Sequence, residues 1–314
     1  MFALVCPFSQ SFDDIGFTYK IPEKLVSNIQ KGMVVFVPFG SKIVFGVVLD
    51  ILSSSNFDHT KMKEISSLYS EDIFLGDYRV ELVKWISQNY FCLIHQSLGL
   101  FFPRNLVQKF EKQTFKFSQI PEFNYKFEYK KSLNSKQNDI YQSILNKNEK
   151  KFLLYGVTGS GKTEIYIHLI KKYLDEGKQS LLLVPEIILT NQIFERITKV
   201  FGEEVIILNS SVSEAKKTKY WDAIHQNKAK IIIGTRSSLF YPYQNLGIII
   251  VDEEHDNSYI SDNSPRYDAI EVALKISNLS DTKILLGSGT PKINHLYRGL
   301  HGEFEVLNLF EEYK

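Results

Sequence analysis

Six short apolar runs in the second half of the chain constrain its fold more than any other feature. They occupy residues 152–155, 180–184, 205–208, 231–233, 248–251 and 284–286. Each run is too short for a helix, and helix-like sequence separates each run from the next. Continuous apolar sequence indicates strands that are buried on both faces, as in a parallel sheet covered by helices. The sequence therefore predicts an α/β fold from about residue 133 onward.

A glycine-rich segment follows the first of these runs and opens a helical stretch. Residues 156–163 read Gly-Val-Thr-Gly-Ser-Gly-Lys-Thr, which matches the pattern GxxxxGK[ST]. In such a loop, backbone N–H groups and the positive end of the helix surround a β-phosphate. The Lys162 ammonium is expected on the β- and γ-phosphates and the Thr163 hydroxyl on Mg²⁺. A fortuitous glycine turn is the alternative, but it requires neither the strand nor the helix. The predicted ATP-binding residues of the loop are Gly156, Gly159, Ser160, Gly161, Lys162 and Thr163.

Acidic residues follow the apolar run 248–251 directly, in the sequence Asp252-Glu253-Glu254-His255. An acid at the carboxyl end of a parallel strand lies on the same edge as a phosphate loop, where an aspartate binds the Mg²⁺ shell. Asp252 is the predicted metal residue, and Glu253 is placed to polarise an attacking water. The alternative is a charged surface turn. The segment 287–291, Gly-Ser-Gly-Thr-Pro, ends another apolar run and by itself indicates only a turn.

Residues 1–105 have a different character, that of a small β-rich domain with a helix. The runs 32–40 and 43–49 are rich in β-branched and aromatic residues and are separated by a short turn, which predicts a hairpin. Apolar residues between Asp77 and Tyr90 recur at helical spacing. The net charge is +1, so any surface that binds nucleic acid must be local. Cys6 and Cys92, without a CxxC spacing, form no zinc site and fit small buried side chains of a reducing compartment.

The stretch between these two parts, residues 106–132, alternates aromatic and polar residues from Phe123 to Lys130. A period of two predicts a strand. One interpretation is an edge strand whose lysines face solvent and prevent aggregation. The other is a nucleic-acid surface, in which the aromatic rings stack on bases and the lysines follow the phosphates.

The three motifs in this order resemble motifs I, II and III of superfamily 2 helicases, and the resemblance narrows to the PriA family of primosomal replication-restart helicases. The segments that carry it are 181–192, which contains Val184-Pro185-Glu186-Ile187, then 233–240, 245–259 and 264–269. In the N-terminal part, residues 37–40 and 46–48 resemble the domain of that family that binds the 3′ end of a DNA strand.

The resemblance implies roles for further residues. Gln137 would read adenine, and Arg236, in Gly-Thr-Arg, would contact single-stranded DNA. Tyr259, Arg266 and Tyr267 match an aromatic-rich loop that would sense DNA and report to the ATP site. Phe17, Gly40 and Lys63 match positions that hold the 3′-terminal nucleotide, although Thr18 stands where the family often has aspartate.

The resemblance also sets the expected domains and three departures from the family. A 3′-end-binding domain is expected over 1–105, a linker too short for the family's winged-helix domain over 106–132, and a first RecA-like lobe over 133–314. Gly289 replaces the family's alanine in motif III. The second lobe with its arginine finger and the cysteine-rich zinc insertion are expected outside this chain, so zinc ligands are not expected within it. We therefore expect the 314 residues to bind ATP and Mg²⁺ but to hydrolyse ATP poorly and not to unwind DNA alone.

The resulting functional hypothesis is the DNA-end domain and first motor lobe of an ATP-dependent 3′-to-5′ DNA helicase of replication restart. Such a protein would recognise stalled forks and initiate primosome assembly, with single-stranded and forked DNA, primosome proteins and single-strand-binding proteins as partners. The alternatives are a non-catalytic module that binds fork DNA, or another superfamily 2 translocase. The N-terminus has no signal-peptide pattern and no segment is apolar enough to span a membrane, so a cytoplasmic protein without membrane partners is expected.

Overall fold

Two β-sheets, one antiparallel and one parallel, organise the chain in a computed structural model that describes residues 1–9, 15–54, 62–186 and 192–310. Each sheet belongs to its own compact unit. The first unit contains residues 1–118, 214–221 and 262–267, and the second contains residues 119–213, 222–261 and 268–314. The domain limits predicted at 105 and 132 stay a prediction, and each unit draws on more than one stretch of sequence.

The first unit is built on an antiparallel sheet with helices after it. Its elements are β1 (Phe2–Pro7), β2 (Phe17–Lys20), β3 (Met33–Phe39), β4 (Lys42–Leu52), β5 (Ser67–Ile73), α1 (Asp77–Asn89), α2 (Ile94–Gly99) and α3 (Arg104–Glu111). The strands lie in the order β2-β1-β4-β3-β5. The predicted hairpin is confirmed, since β3 pairs with β4 from Val34 opposite Val47 to Phe39 opposite Lys42. The predicted helix after Asp77 is confirmed as α1.

Aromatic side chains from distant parts of the sequence fill the interior of this unit. Trp221 is buried, and its indole N–H donates to the carbonyl of Phe101 at 3.0 Å. Trp221 and Phe110 belong to one connected cluster of rings. Its other members are Phe8, Phe45, Tyr69, Phe74, Phe102, Phe115 and Phe117. Phe110 and Phe115 come from the predicted linker, so that stretch contributes core as well as connection.

The second unit alternates strands and helices. Its elements are α4 (Ser135–Asn146), β6 (Lys151–Gly156), α5 (Lys162–Asp175), β7 (Gln179–Leu183), α6 (Gln192–Phe201), β8 (Ile206–Leu208), α7 (Glu214–His225, whose first two turns belong to the first unit), β9 (Ile231–Gly234), β10 (Leu246–Val251), α8 (Ala269–Leu279), β11 (Lys283–Ser288), α9 (Ile293–Leu300) and β12 (Glu305–Leu309). The strands form one sheet in the order β12-β6-β11-β10-β7-β9-β8, and every pair is parallel.

All six apolar runs form strands of this sheet, which confirms the predicted α/β class. Their side chains are buried because helices cover the sheet, so the apolar sequence is continuous rather than alternating. The strand β12 escaped prediction, since Glu305 and Asn308 interrupt its apolar residues and one face is partly exposed. Because all strands run in the same direction, the loops after β6, β7, β9, β10 and β11 leave the sheet at one edge.

The aromatic stretch 123–129 forms no strand, so the predicted edge strand is wrong. Instead, the backbone N–H groups of Lys126 and Glu128 donate to the carbonyls of Phe201 and Val200 at the end of α6, at 3.1 and 3.0 Å. Burial does not follow a period of two, because Tyr125 and Tyr129 pack against the core of the unit while residues 126–128 between them, including Phe127, are exposed. These two rings are therefore not available to stack on bases.

A matched pair of substitutions tests this assignment of the aromatic rings. The Tyr125 hydroxyl accepts hydrogen bonds from the backbone N–H groups of Lys230 and Ile231, at 2.8 and 3.3 Å, where β9 begins. Tyr125→Phe leaves these donors without that acceptor and is expected to lower the free energy of unfolding by about 1–3 kcal/mol in urea titrations. The buried Tyr129 hydroxyl has no partner among the described residues, so Tyr129→Phe is expected to be neutral or stabilising. Equal losses in the two variants would contradict the assignment.

Candidate functional site

The glycine-rich segment 156–163 joins β6 to α5, as the sequence predicts. Gly159 and Gly161 have φ of +81° and +87°, in the left-handed region that side chains with a Cβ rarely adopt. A Cβ placed on Gly159 would find no heavy atom within 4 Å, so the mouth of the loop is open. Gly161 caps α5, which therefore directs the positive end of its dipole at the loop.

Lys162 lies within the curve of this loop and is nearly buried. Its ammonium donates to the carbonyl of Gly156 at 2.7 Å and approaches that of Val157 at 3.5 Å. The Ser160 hydroxyl is also buried and has no hydrogen-bond partner among the described residues. A cation, an unsatisfied hydroxyl and a helix N-terminus in an open loop are the groups that a polyphosphate satisfies, so this loop fits the phosphates of a nucleotide.

A cavity of about 470 Å³ extends from the loop along the edge of the sheet. Its lining residues are Lys131, residues 157–164, Ile193, Arg196, Asp252 and Glu253. Three cations (Lys131, Lys162 and Arg196) and three carboxylates (Glu164, Asp252 and Glu253) therefore share one space. The buried Glu164 forms an ion pair with Arg196 and lies 3.8 Å from the Lys131 ammonium, which fixes two of the cations at the rim.

Asp252 follows β10 and lies across the cavity from the loop. The pKa of its carboxyl is raised to about 6, mainly by burial and next by the neighbouring charge of Glu253, against the hydrogen bond from Tyr166 and the charge of Lys162. The Tyr166 hydroxyl donates to Oδ1 of Asp252 at 3.1 Å. Near neutral pH the group is therefore a carboxylate, and its charge is held in a partly desolvated position.

Glu253 has a φ of +47°, in the left-handed region, although it is not glycine. This conformation costs of the order of 1 kcal/mol and persists only where surrounding contacts enforce it. Hydrogen bonds on either side provide these contacts, since Asp252 N–H donates to Leu183 O at 2.9 Å and Glu254 N–H donates to Gly287 O at 3.0 Å. The strained backbone places Glu253 on the wall of the cavity, where an activating base is expected.

Side-chain contacts join this acidic segment to the segment 287–291 and to the start of α9. Nδ1 of His255 is 2.9 Å from the Ser288 hydroxyl. Glu254 is fully buried, and its two carboxylate oxygens accept from the N–H of Lys292 at 2.8 Å and contact Nδ1 of the buried His295 at 2.6 Å. Sequence reasoning missed Glu254, because a charged residue in a polar run gives no sign of burial. The only available signal was its chemistry, since a carboxylate satisfies the first N–H groups of a helix such as α9.

Gln137, predicted to read adenine, is fully buried and is not among the residues that line the cavity. Its side-chain carbonyl accepts from Asn134 N–H at 3.0 Å, while the Asn134 side chain accepts from Gln137 N–H at 2.8 Å. This reciprocal pair is a capping box at the start of α4. The Gln137 amide then donates to the carbonyls of Ser160 and Gly161 at 3.3 and 3.5 Å. In this structure Gln137 therefore holds the phosphate loop, and contact with a base requires its amide to leave these carbonyls.

Arg236 and Tyr259 form one connected group. Arg236 donates through one guanidinium nitrogen to the carbonyls of Ser258 and Ile260, at 2.7 and 2.8 Å, on either side of Tyr259. The buried Tyr259 hydroxyl bonds to the carbonyls of Asp252 and Leu183 at 2.6 and 3.1 Å. Tyr259, predicted to contact DNA, is thus an internal link between this turn and the candidate metal residue.

The remaining predicted DNA residues of this region differ in exposure. Arg266 is exposed, whereas the Tyr267 ring is buried within the first unit. Residues 187–191 of the segment 181–192 lie outside the described residues.

The residues predicted to hold a DNA 3′ end lie together in the first unit. The Lys63 ammonium donates to the carbonyl of Gly40, in the turn of the hairpin, at 3.1 Å. The Phe17 ring packs edge-on against Phe39 beside this turn, with 5.1 Å between centroids. Among the described residues, no heavy atom outside the adjoining residues lies within 4 Å of the Cβ position of Gly40. An apolar ring, a cation and open backbone are a combination that suits a terminal nucleotide.

Comparisons with known proteins agree with both units. A DEAD/DEAH box helicase family model matches residues 134–298, and a 3′ DNA-binding domain model matches residues 7–103. The replication restart protein PriA of Rickettsia felis is 37% identical over 299 residues, which are 94% of this chain and 44% of that protein. The PriA protein of Bacillus subtilis is 43% identical over 170 residues, 54% of this chain and 21% of that protein. The chain thus spans less than half the length of these relatives.

One solved structure similar to this chain is that of RecG bound to a three-way DNA junction. It has a TM-score of 0.45 and 23% identity, and the match covers 76% of this chain and 31% of that one.

No helix of the described residues is both long and apolar enough to cross a membrane. In the same residues, no group of three or more His, Cys, Asp and Glu side chains is arranged to hold a metal ion.

The raised pKa of Asp252 predicts that its charge destabilises the free protein. In the folded protein the pKa of Asp252 is about 6, above the ordinary aspartate value of 3.8, so the folded state binds the proton more tightly than the unfolded state does. This contribution to stability is present below about pH 4 and is lost as the pH rises through about 6. In EDTA at about pH 7.5, Asp252→Asn is therefore expected to raise the free energy of unfolding by about 1–3 kcal/mol.

The control is Asp281→Asn, which changes an exposed carboxylate beside Lys150 in the same unit and is expected to have little effect. Urea unfolding across the pH range measures both variants. An Asp252→Asn variant less stable than the unmodified chain at about pH 7.5 would contradict the prediction.

Proposed function

The chain belongs to the DEAD/DEAH box helicase family, in the replication restart (PriA) group, and on this premise we propose that it binds ATP in its second unit and a DNA 3′ end in its first. The observation that carries the proposal is the single cavity shared by the phosphate loop, Asp252 and Glu253. A family membership does not assign these residues, but their position at one edge of a parallel sheet supports the assignment.

Each residue at the cavity has a definite task in this proposal. The loop amides and the Ser160 hydroxyl bind phosphate oxygens, and the Lys162 ammonium exchanges the carbonyl of Gly156 for a phosphate. Thr163 and Asp252 would hold Mg²⁺, and Glu253 would accept a proton from the attacking water. ATP with Mg²⁺ supplies the anhydride bond and the divalent charge that favours its cleavage. Gln137 keeps the loop in the conformation that this binding requires.

A path from DNA to the nucleotide site runs through Arg236 and Tyr259. Arg236 fixes the turn on both sides of Tyr259, and Tyr259 contacts the backbone of Asp252. A DNA phosphate that draws the Arg236 guanidinium away from these carbonyls releases the turn and with it Asp252. Arg266, an exposed cation of the first unit, is also assigned to DNA.

For the complete protein we propose an ATP-dependent 3′-to-5′ DNA helicase that recognises stalled forks and prepares primosome assembly, with single-strand-binding proteins among its partners. The prediction that these 314 residues hydrolyse ATP poorly by themselves is tested by steady-state hydrolysis with and without single-stranded DNA. Rapid DNA-stimulated hydrolysis by this chain would contradict it.

The nucleotide assignment is tested by a pair of lysines on α5. Lys162→Ala is expected to weaken binding of a fluorescent ATP analogue at least about tenfold, because it removes the cation from the phosphate loop. Lys171→Ala is the control, since Lys171 pairs with Asp175 on the same helix and does not line the cavity. Equal affinities of the two variants would reject the loop as the phosphate site.

The DNA-end assignment is tested by a second pair of lysines, in the first unit. The unmodified chain is expected to bind a forked DNA with a free 3′-OH more tightly than the same fork with a blocked 3′ end. Lys63→Ala is expected to abolish this preference, whereas Lys42→Ala, an exposed lysine at the start of β4, is expected to retain it. Loss of the preference in both variants indicates general electrostatic binding. No preference in the unmodified chain favours a general DNA translocase.

A further inference from the structure

Helix α5 carries two buried tyrosines that face the parallel sheet, and only one of them reaches the nucleotide cavity. Tyr166 lies one turn after the phosphate loop and is fully buried, with its hydroxyl 3.1 Å from Oδ1 of Asp252. Tyr173 lies two turns further along the helix and packs against the strand at Gly247. For Tyr173 this packing against the sheet accounts for the residue.

The Tyr166 hydroxyl occupies space that a side chain on β11 would otherwise fill. A Cβ built on Gly287 would lie 1.9 Å from this hydroxyl oxygen and 3.0 Å from the ring carbon that bears it. No alanine fits there while the hydroxyl stays in place, because heavy atoms do not approach to such a distance. Gly287 is thus the residue of the segment 287–291 that allows the phenol to reach Asp252. Its carbonyl also accepts from Glu254 N–H at 3.0 Å.

This arrangement fixes one oxygen of the Asp252 carboxylate and leaves the other for a metal ligand sphere. The Asp252 carboxylate can rotate about its bond to Cβ, and a donor to one oxygen restricts that rotation. The Tyr166 phenol is fully buried, and its hydroxyl donates to this oxygen at 3.1 Å. Two phenols therefore hold this residue, Tyr166 at the side chain and Tyr259 at the main-chain carbonyl.

We propose that Tyr166 is the positioning residue of Asp252, which it orients for the Mg²⁺ of bound ATP, and that Gly287 provides the space for it. The inference rests on the proposed ATP site. Tyr166 contacts neither nucleotide phosphate nor metal in this role and acts only through the carboxylate.

The test is the Mg²⁺ dependence of nucleotide binding by Tyr166→Phe, which removes one oxygen atom and retains the ring. Binding of a fluorescent ATP analogue is measured in EDTA and across a Mg²⁺ titration. We expect the Mg²⁺ concentration at half-saturation to rise about tenfold, the effect of losing a hydrogen bond to a charged group. Binding in EDTA is expected to be unchanged, because the phosphate loop is intact. The matched control, Tyr173→Phe, is expected to behave as the unmodified chain in both conditions.

A second variant tests the role of the space. Gly287→Ala displaces the Tyr166 hydroxyl and is expected to raise the Mg²⁺ requirement to the same extent as Tyr166→Phe, with an added loss of thermal stability. In the double variant the colliding oxygen is absent and only the ring carbon at 3.0 Å must yield. We therefore expect the double variant to be more stable than Gly287→Ala and to need no more Mg²⁺ than Tyr166→Phe.

The outcomes separate this inference from the proposed function. Absence of Mg²⁺-dependent ATP binding by the unmodified chain overturns both. Normal binding by the unmodified chain with an unchanged Mg²⁺ requirement in Tyr166→Phe overturns the inference alone. Equal weakening in EDTA and in Mg²⁺ also overturns it, since that result indicates a structural role for the tyrosine. Additive effects of the two substitutions on the Mg²⁺ requirement would show that Gly287 acts independently of Tyr166.

Discussion

An ionised carboxylate at the edge of a buried sheet is unfavourable, and Asp252 is in that position. Burial raises its pKa to about 6, and Glu253 beside it adds repulsion. Two groups lower the pKa of Asp252 and so stabilise its charge. They are the hydroxyl of Tyr166, on α5, and the ammonium of Lys162, at the phosphate loop. The neighbouring backbone carries a further cost in the left-handed conformation of Glu253. A fold that accumulates such costs at one point retains them because the site requires them.

The loops around this carboxylate are joined by hydrogen bonds that do not depend on a ligand. Arg236 connects the loop after β9 to the turn that carries Tyr259, and Tyr259 connects that turn to Asp252. His255 and Glu254 connect the same acidic segment to the loop after β11, through Ser288 and the first turn of α9. A displacement of one of these loops can therefore shift Asp252 through only a few hydrogen bonds. Such discrete contacts are the kind of element through which binding at one site biases another.

The sequence predicts the sheet well because burial on both faces leaves a simple trace, a continuous apolar run. It also predicts the phosphate loop and the position of Asp252, since both follow from strand direction. The prediction from sequence fails where the same residue pattern can arise from two different structures. The alternation from Phe123 to Lys130 belongs to a segment whose Tyr125 and Tyr129 rings pack on the core and whose backbone bonds to the end of α6, and not to a strand in a ladder. Gln137 is a polar residue whose partners, Asn134 and the loop carbonyls, become neighbours only in the fold, although the spacing of Asn134 and Gln137 is itself a capping signal.

Glycines also limit prediction from sequence, because a glycine can be required for its backbone conformation or for the space that its missing side chain leaves. At Gly159 and Gly40 the Cβ position has no heavy atom of the described residues within 4 Å, and both glycines have a positive φ. At Gly287 and Gly247 the Cβ position is already filled by Tyr166 and Tyr173 of α5. A side chain at the first pair therefore strains the backbone, whereas a side chain at the second pair collides with a tyrosine of the helix. Gly287 has a further importance, because the atom that fills its Cβ position is the hydroxyl oxygen that donates to Asp252. A side chain at Gly287 would therefore disturb both the packing of α5 on the sheet and the hydrogen bond to this carboxylate.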